Sequence, residues 1–361
     1  MKRIIFGGSF DPIHFGHLKM AERAKDFVNA DIVEFVIAPT SRWKKYYAAS
    51  NHRLEMTNLM VTNLTWARVS ALEIERNAEV NYTFDTLIEY KEKYPADELF
   101  LLIGGDQAVL FPKWHKAKEI SKLAKILVYE RLPEYVIDKN IINEYNMTII
   151  NGESLPYSST SIRNLENLGT KEEVIDYITS NDLYFMEKID KYISNKRRSH
   201  SLEVAKLART IAKANNLDEE KAFICGLLHD IGKEVKEDKA KAIMNEHYTQ
   251  YAHLYRWLHH QFIGEYIAKN DFNISDPSML RAIEFHATGI DNMDWLGMVI
   301  YSSDKIEPTR GFDSSSLINA CLKDYHEGFI EVLEANREFL LSKNYDVHNE
   351  LTTACMDFYL K

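Results

Sequence analysis

The sequence predicts two domains, a parallel α/β domain over residues 1–184 followed by an all-helical domain over residues 185–361. Three observations carry this expectation. At 361 residues the chain is longer than a single core usually organises. In the first half, short near-continuous apolar runs alternate with helix-like segments, the pattern of strands buried on both faces. After Tyr184 the strand-like runs stop and helical apolar spacing takes over.

The elements follow in order. Arg3-Ile4-Ile5-Phe6 is a first strand running into Gly7-Gly8, and residues 17–28 have helical spacing. Residues 33–37 form a second strand, and residues 99–103 a third that ends in Gly104-Gly105-Asp106. Residues 124–129 and 147–150 complete the set. Ligands of such sheets bind beyond the carboxyl ends of the strands, where Gly7, Gly104 and Pro39 fall. In the second half, helices are expected over 187–195, 200–214, 219–229, 251–269, 278–286, 296–303, 315–341 and 349–359.

Composition narrows the function. A chain with 45% hydrophobic and 27% charged residues reads as an ordinary soluble protein. A formal net charge of -10 argues against coating nucleic acid. No apolar stretch is long enough for a signal peptide or membrane span. Cys225, Cys321 and Cys355 stand far apart without a CxxC, as expected of buried thiols in a reducing compartment. A cytoplasmic location is the expectation, with no membrane and no nucleic-acid partner.

The string Gly7-Gly8-Ser9-Phe10-Asp11-Pro12-Ile13-His14-Phe15-Gly16-His17 joins a strand to a helix start. Glycine lets a phosphate approach the backbone, helix-start amides favour anions, and two histidines there can meet charge developing on an attacked phosphate. No GK[ST] closes the string, so it is not a P-loop. Downstream, Ser158, Ser159, Thr160 and Ser161 bring hydroxyls to a helix start ahead of Arg163. Lys44 and Lys45 lie in the loop after Pro39, and either is a candidate cation for the phosphates.

With these residues in view, the first half resembles bacterial nicotinate-nucleotide adenylyltransferases. Besides the two strings above, the matching segments are His52-Arg53-Leu54-Glu55-Met56, Tyr82-Thr83-Phe84-Asp85-Thr86-Leu87, Ile103-Gly104-Gly105-Asp106 with Trp114, and Glu130-Arg131. The resemblance implies a Rossmann-like nucleotidyltransferase that uses Mg²⁺ and takes ATP and nicotinate mononucleotide. It implies that His14 and His17 hold the ATP phosphates, that Ser158, Thr160 and Arg163 surround the distal phosphates, and that Asp106 lies near the adenosine. Thr86 and Trp114 are then expected at the nicotinate pocket, with Thr83 and Arg131 among the binding residues. One departure is Ser41-Arg42-Trp43-Lys44-Lys45, where relatives commonly carry Pro-Pro-His-Lys, so nicotinamide mononucleotide stays open as an alternative substrate.

The second half carries His200, the pair His229-Asp230, His260, His286 and Asp304 on successive predicted helices. A carboxylate that offers each oxygen to a different cation, with imidazoles outside it, reads as a two-metal phosphohydrolase centre. The mixed His/Asp shell suits Fe or Mn, with Co and Zn as further options. Lys233, near one helical turn beyond His229, and Arg197, just before His200, are candidate phosphate contacts. His260 rather than the adjacent His259 is the expected ligand, with Gly264 one turn later.

Residues 187–361 resemble the HD-domain phosphohydrolases, and more closely the bacterial enzymes that cleave diadenosine tetraphosphate symmetrically. Arg197-Arg198-Ser199-His200-Ser201, Leu228-His229-Asp230-Ile231-Gly232-Lys233, Glu284-Phe285-His286-Ala287-Thr288-Gly289 and Ser303-Asp304-Lys305-Ile306-Glu307-Pro308-Thr309-Arg310 carry the match. The resemblance implies a di-iron-type centre, with Asp230 and Lys233 in catalytic roles, that splits its substrate into two ADP. Gln261 stands where relatives often have glycine. Another phosphorylated nucleotide as substrate, or a regulatory nucleotide-binding role, remains an alternative.

Overall fold

The computed structural model describes residues 1–39, 46–131, 137–153, 156–342 and 349–360. The chain divides into two compact units, Met1–Phe185 and Met186–Lys361, with the division inside the short helix Phe185–Ile189.

In the first unit, β1 (Lys2–Gly8), β2 (Ile32–Ile37), β3 (Ala67–Ser70), β4 (Glu98–Gly104), β5 (Lys125–Arg131) and β6 (Thr148–Gly152) form one sheet in the order β3-β2-β1-β4-β5-β6. Each neighbouring pair is parallel. The central strands are buried on both faces, through Ile4 and Ile5, Val33 to Ile37, Leu99 to Ile103 and Ile126 to Tyr129. β1 pairs with β2 on one side and β4 on the other, so the winding direction reverses there. A crevice opens at such a reversal, between the carboxyl ends of β1 and β4, where Gly7-Gly8 and Gly104 sit. The edge strand β3 was not expected, because Ala67–Ser70 is short, partly exposed and has no apolar run.

At the other end of β1 lies a buried ion network. Arg3 is 2% exposed, pairs with Glu34, and donates from Nε to Asp97 Oδ2 at 2.9 Å. Its guanidinium lies over the Tyr94 ring at 3.8 Å, and the Met1 amino group reaches Asp97 Oδ1 at 3.2 Å. Burial of a guanidinium is tolerated because every side of it is paired.

The second unit has no strand among its described residues. Helices Asn195–Ala214 and Glu219–Leu228 form a hairpin whose second member is capped by the Asp218 carboxylate, which accepts from Glu220 and Lys221 N–H. A Cβ on Gly226 would lie 2.6 Å from Ala205 Cα, so glycine permits the close crossing of these two helices. Helices Glu237–His247, His259–Asp271, Pro277–Glu284, Trp295–Ile306, Ser315–Lys323, Tyr325–Ser342 and Glu350–Tyr359 complete the unit.

Several helix limits differ from expectation. The segment 187–195 shortens to Phe185–Ile189, since Asn195 begins the next helix. Residues 251–269 resolve into the 3-10 turns Thr249–Tyr251 and Arg256–Leu258 and then a helix from His259. Residues 315–341 break at extended Asp324, so one predicted helix becomes two that pack on each other at Gly328, where a Cβ would lie 2.4 Å from Cys321. Glu237–His247 was not expected, for it buries only Ile243 and Met244. No described helix is long and apolar enough to cross a membrane.

Candidate functional site

In the first unit, the chain leaves β1 through Gly7-Gly8 and enters helix Phe15–Val28 with His14 as N-cap. His14 Nδ1 accepts from Gly16 N–H at 3.1 Å, and His17 Nδ1 accepts from His14 N–H at 3.3 Å. This reciprocal box brings the two rings together with centroids 3.7 Å apart and planes tilted by 39°. Because both Nδ1 atoms are acceptors, each neutral ring carries its proton on Nε2 and is a donor there. A Cβ on Gly7 would meet nothing within 4 Å, which leaves room beside them. The structure therefore puts His17 within the helix's first turn rather than at its start.

The second hydroxyl-bearing turn is fastened to the same loop. Ser158 caps helix Ser159–Arg163 in a box with Ser161, and Ser159 Oγ donates to Pro12 O at 2.8 Å. Arg163 donates to Asp11 O at 2.5 Å and to Thr160 Oγ1 at 2.8 Å, with its guanidinium over the Tyr47 ring. His14, His17, Ser158, Thr160 and Arg163 thus come together.

The Asp11 carboxylate turns inward. It is fully buried and accepts from Tyr47 N–H at 2.8 Å, Ala48 N–H at 3.2 Å and Tyr184 Oη at 2.8 Å. Arg53, also fully buried, ties the loops together by donating to Ala48, Ser9, Ala38 and Pro39 carbonyls. Burial lowers the Arg53 pKa, against the attraction of Tyr46 and Asp11. Asp11 and Arg53 organise loops, a role that spacing alone does not distinguish from ligand contact.

Gly8 packs over Phe10, where a Cβ would lie 2.8 Å from the ring. Asp106 is exposed in the first turn of helix Gly105–Leu110, beside Gly104. Trp114 is half-buried against Phe111, with ring centroids 5.1 Å apart. Thr83 opens helix Thr83–Lys93, whereas Thr86 is buried and its hydroxyl donates to Glu73 at 2.7 Å while receiving Arg76 at 3.2 Å. Arg131 is the last residue of β5. Lys44 and Lys45 lie outside the described residues.

In the second unit, all six expected ligands converge. His200 Nε2 lies 3.2 Å from Asp304 Oδ1, and His229 Nε2 lies 3.5 Å from that same oxygen. Asp230 Oδ1 faces His260 Nε2 at 3.2 Å and His286 Nε2 at 3.5 Å, while its Oδ2 faces His229 at 3.7 Å and His200 at 3.9 Å. Two overlapping ligand groups result, His200-His229-Asp304 and His229-Asp230-His286. The close approach depends on glycine, since a Cβ on Gly232 would lie 2.4 Å from His260 O and 2.6 Å from Gly264 N. His259 points elsewhere and bonds Leu254 O at 2.9 Å.

The donor chemistry fits a pair of cations. His229 Nε2 is buried without a hydrogen-bond partner and faces both carboxylates. Burial pushes the His286 pKa down to about 3 and lowers that of His260, so both rings are neutral with lone pairs available. Burial alone would raise Asp230 and Asp304, but His229 and the other imidazoles hold Asp230, and Lys305 with His200 and His229 holds Asp304, well below the usual carboxylate range. Cationic side chains ring the pair: Arg197 reaches Asp230 at 2.6 Å, Lys305 reaches Asp304 at 2.7 Å, and Arg310 also pairs with Asp304. Lys233 Nζ lies 3.2 Å from His260 Nε2. A cavity of roughly 900 Å³ opens beside the centre, lined in part by Lys196, Arg197, His200, Glu307 and Arg310.

A curated protein of Mycoplasma genitalium, "Probable nicotinate-nucleotide adenylyltransferase/Ap4A hydrolase", is 33% identical over 315 residues, covering 86% of this chain and 88% of its own. The chain belongs to this two-domain family. The family's Mycoplasma pneumoniae protein of the same name is 30% identical over 334 residues, covering 89% of this chain and 95% of its own. The nicotinate-nucleotide adenylyltransferase of Bacillus subtilis is 33% identical over 196 residues, 54% of this chain and 96% of its own. A Cytidylyltransferase-like family model matches residues 5–165 and an HD domain model residues 197–309. The chain thus joins a nucleotidyltransferase unit to an HD hydrolase unit, and all six metal-ligand candidates fall within the HD match. For this adenylyltransferase/Ap4A hydrolase family member, sequence reasoning passed over Arg53, Lys305, Arg310 and Glu307 as individual site residues. Glu307 meets His200 and Arg53 meets Ser9 from far along the chain, whereas Lys305 and Arg310 pair with Asp304 inside one short string that could have pointed to them.

Proposed function

We propose that the first unit transfers AMP from ATP to nicotinate mononucleotide, yielding deamido-NAD and pyrophosphate, and that the second hydrolyses diadenosine tetraphosphate to two ADP. The observation that supports this most is the intact donor set in each half: the His14–His17 box beside Arg163, and the six convergent His and Asp side chains. Relatives that align along both halves carry both activities in their names.

In the first reaction the mononucleotide phosphate is itself the nucleophile, so no protein base is needed. The chain aligns two anions and offsets the charge at the α-phosphorus, with Nε2–H of His14 and His17 as donors and Mg²⁺ arriving with ATP. Ser158, Thr160 and Arg163 receive the departing pyrophosphate, joined by Lys44 or Lys45. Asp106 and Trp114 take the adenosine and pyridine sides respectively.

In the second reaction His200, His229 and Asp304 would hold one cation and His260 and His286 the other, with the Asp230 carboxylate facing all four imidazoles. Iron is the expected metal, with Mn, Co or Zn as substitutes. Such a pair supplies Lewis acidity toward water and phosphoryl oxygen. Arg197 and Lys233 orient the polyphosphate. Three separate buried thiols agree with a cytoplasmic site of action.

The test is product analysis after incubating metal-loaded protein with diadenosine tetraphosphate, and separately with ATP and each mononucleotide. ADP alone, and deamido-NAD in preference to NAD, are expected. AMP with ATP would mean asymmetric cleavage, and no turnover with Fe, Mn, Co or Zn would redirect the second unit to another phosphorylated nucleotide or to nucleotide sensing.

A further inference from the structure

We infer that Glu307 is a positioning residue that aims His200 and thereby holds the cation shared by His200, His229 and Asp304. The inference rests on the metal-centre reading above and adds a residue to which no role has been given. It begins with how each imidazole satisfies its second nitrogen. Nδ1 of His229 bonds Gly226 O at 2.7 Å, Nδ1 of His260 bonds Trp257 O at 2.7 Å, and Nδ1 of His286 bonds Ile283 O at 2.8 Å. His229 and His286 follow the ends of Glu219–Leu228 and Pro277–Glu284, and His260 follows the turn Arg256–Leu258. The last carbonyls of a helix have no intrahelical N–H, so they are available.

His200 has no such option. It lies inside the 20-residue helix Asn195–Ala214, where the carbonyls of the preceding turn are committed to the helix's own N–H groups. Its Nδ1 instead meets Glu307 Oε1 at 3.1 Å, from 107 positions away. Glu307 is 2% exposed, and its other carboxylate oxygen accepts from Thr309 N–H at 2.6 Å and Thr309 Oγ1 at 2.7 Å. Its own N–H is bonded to Ser303 O at 3.1 Å, so the carboxylate is fixed from both ends. With a carboxylate at Nδ1, the ring proton stays there and the Nε2 lone pair faces Asp304 and the metal position. A carboxylate partner also makes the imidazole a stronger donor than a backbone carbonyl does. The centre is therefore asymmetric: one cation position has an imidazole braced by a carboxylate, whereas the imidazoles of the other turn Nδ1 to backbone carbonyls.

The experiment titrates the full-length chain with Mn²⁺, following bound metal by equilibrium dialysis and electron paramagnetic resonance, for wild type, Glu307→Ala, Glu307→Gln and Thr309→Val. Wild type is expected to bind two Mn²⁺. Glu307→Ala should weaken one of the two by about 10–100-fold and leave the other and the circular dichroism unchanged. Glu307→Gln, whose amide oxygen still accepts from Nδ1–H, should recover part of that loss, and Thr309→Val, which removes one of the two bonds that hold Oε2, should weaken the same position by less than Glu307→Ala does. Two Mn²⁺ at wild-type affinity in Glu307→Ala overturns the inference, as does equal weakening of both positions or unfolding of both Glu307 variants. A wild-type chain that binds no metal overturns the underlying metal-centre reading, and this inference with it.

Discussion

The hydroxyl of Tyr184 donates to Asp11 Oδ1 at 2.8 Å, joining the end of the α/β unit to the loop after β1 across 173 positions. Tyr184 adopts the left-handed backbone region with φ 58°, uncommon for a bulky residue. Burial and the neighbouring Asp11 carboxylate raise its pKa, so it remains a donor. Replacement by phenylalanine leaves a buried carboxylate with one bond fewer, which costs about 1–3 kcal/mol. We expect Tyr184→Phe to lower the melting temperature and raise KM for ATP without changing phosphohydrolysis. An unaltered KM in a destabilised protein would confine the contact to folding.

The two sites share no residue. His17→Ala should reduce adenylyl transfer by ~100-fold or more, since a donor aimed at the reacting phosphate is lost. Phosphohydrolysis should continue. Asp230→Ala removes the carboxylate that faces His200, His229, His260 and His286 and should show the converse pattern. Both activities falling together in either variant would argue against independent sites.

The Arg3 network predicts an acid-sensitive component of stability. Burial alone would raise Asp97, but Arg3 and the Met1 amino group bring it below its ordinary value. The folded pKa therefore lies below the unfolded value of about 3.9, so the contribution is complete above that pH. It disappears as pH falls through the folded value. Arg3→Met strands Glu34 and Asp97 and should cost about 3–5 kcal/mol near neutrality. Urea midpoints between about pH 3 and 6 should then slope less steeply in the variant than in wild type; parallel slopes would exclude Asp97 as the group responsible.

All three cysteines are buried. Burial pushes the Cys321 and Cys355 thiols up to about 12 and raises Cys225 as well. Labelling with a disulfide reagent near pH 8 should therefore be slow in the native protein and reach three equivalents after denaturation. Rapid native labelling would reveal local opening around one of them.

Much of this architecture was legible in the sequence because it rests on contiguous apolar runs. Leu99 to Ile103 is buried along its whole length and reads as a strand without help from neighbours. Ala67–Ser70 depends on pairing with β2 and carries no such run. The six metal-ligand candidates were legible by residue type and order. What stayed hidden was the company each side chain keeps: Asp11 faces inward to backbone amides, Thr86 bonds Glu73, and His200 meets Glu307. Those contacts are set by tertiary packing, which leaves no local periodicity to read.

His229 belongs to both ligand groups, and its neighbour Asp230 turns Oδ2 to His229 and His200 and Oδ1 to His260 and His286. Two chain-adjacent residues at the close of one helix therefore serve as a common floor for the whole centre. One half cannot be swapped, duplicated or retuned by drift without disturbing the other. Divergence of substrate would then fall to the cavity walls, at positions such as Arg197 and Arg310, while the floor stays as it is.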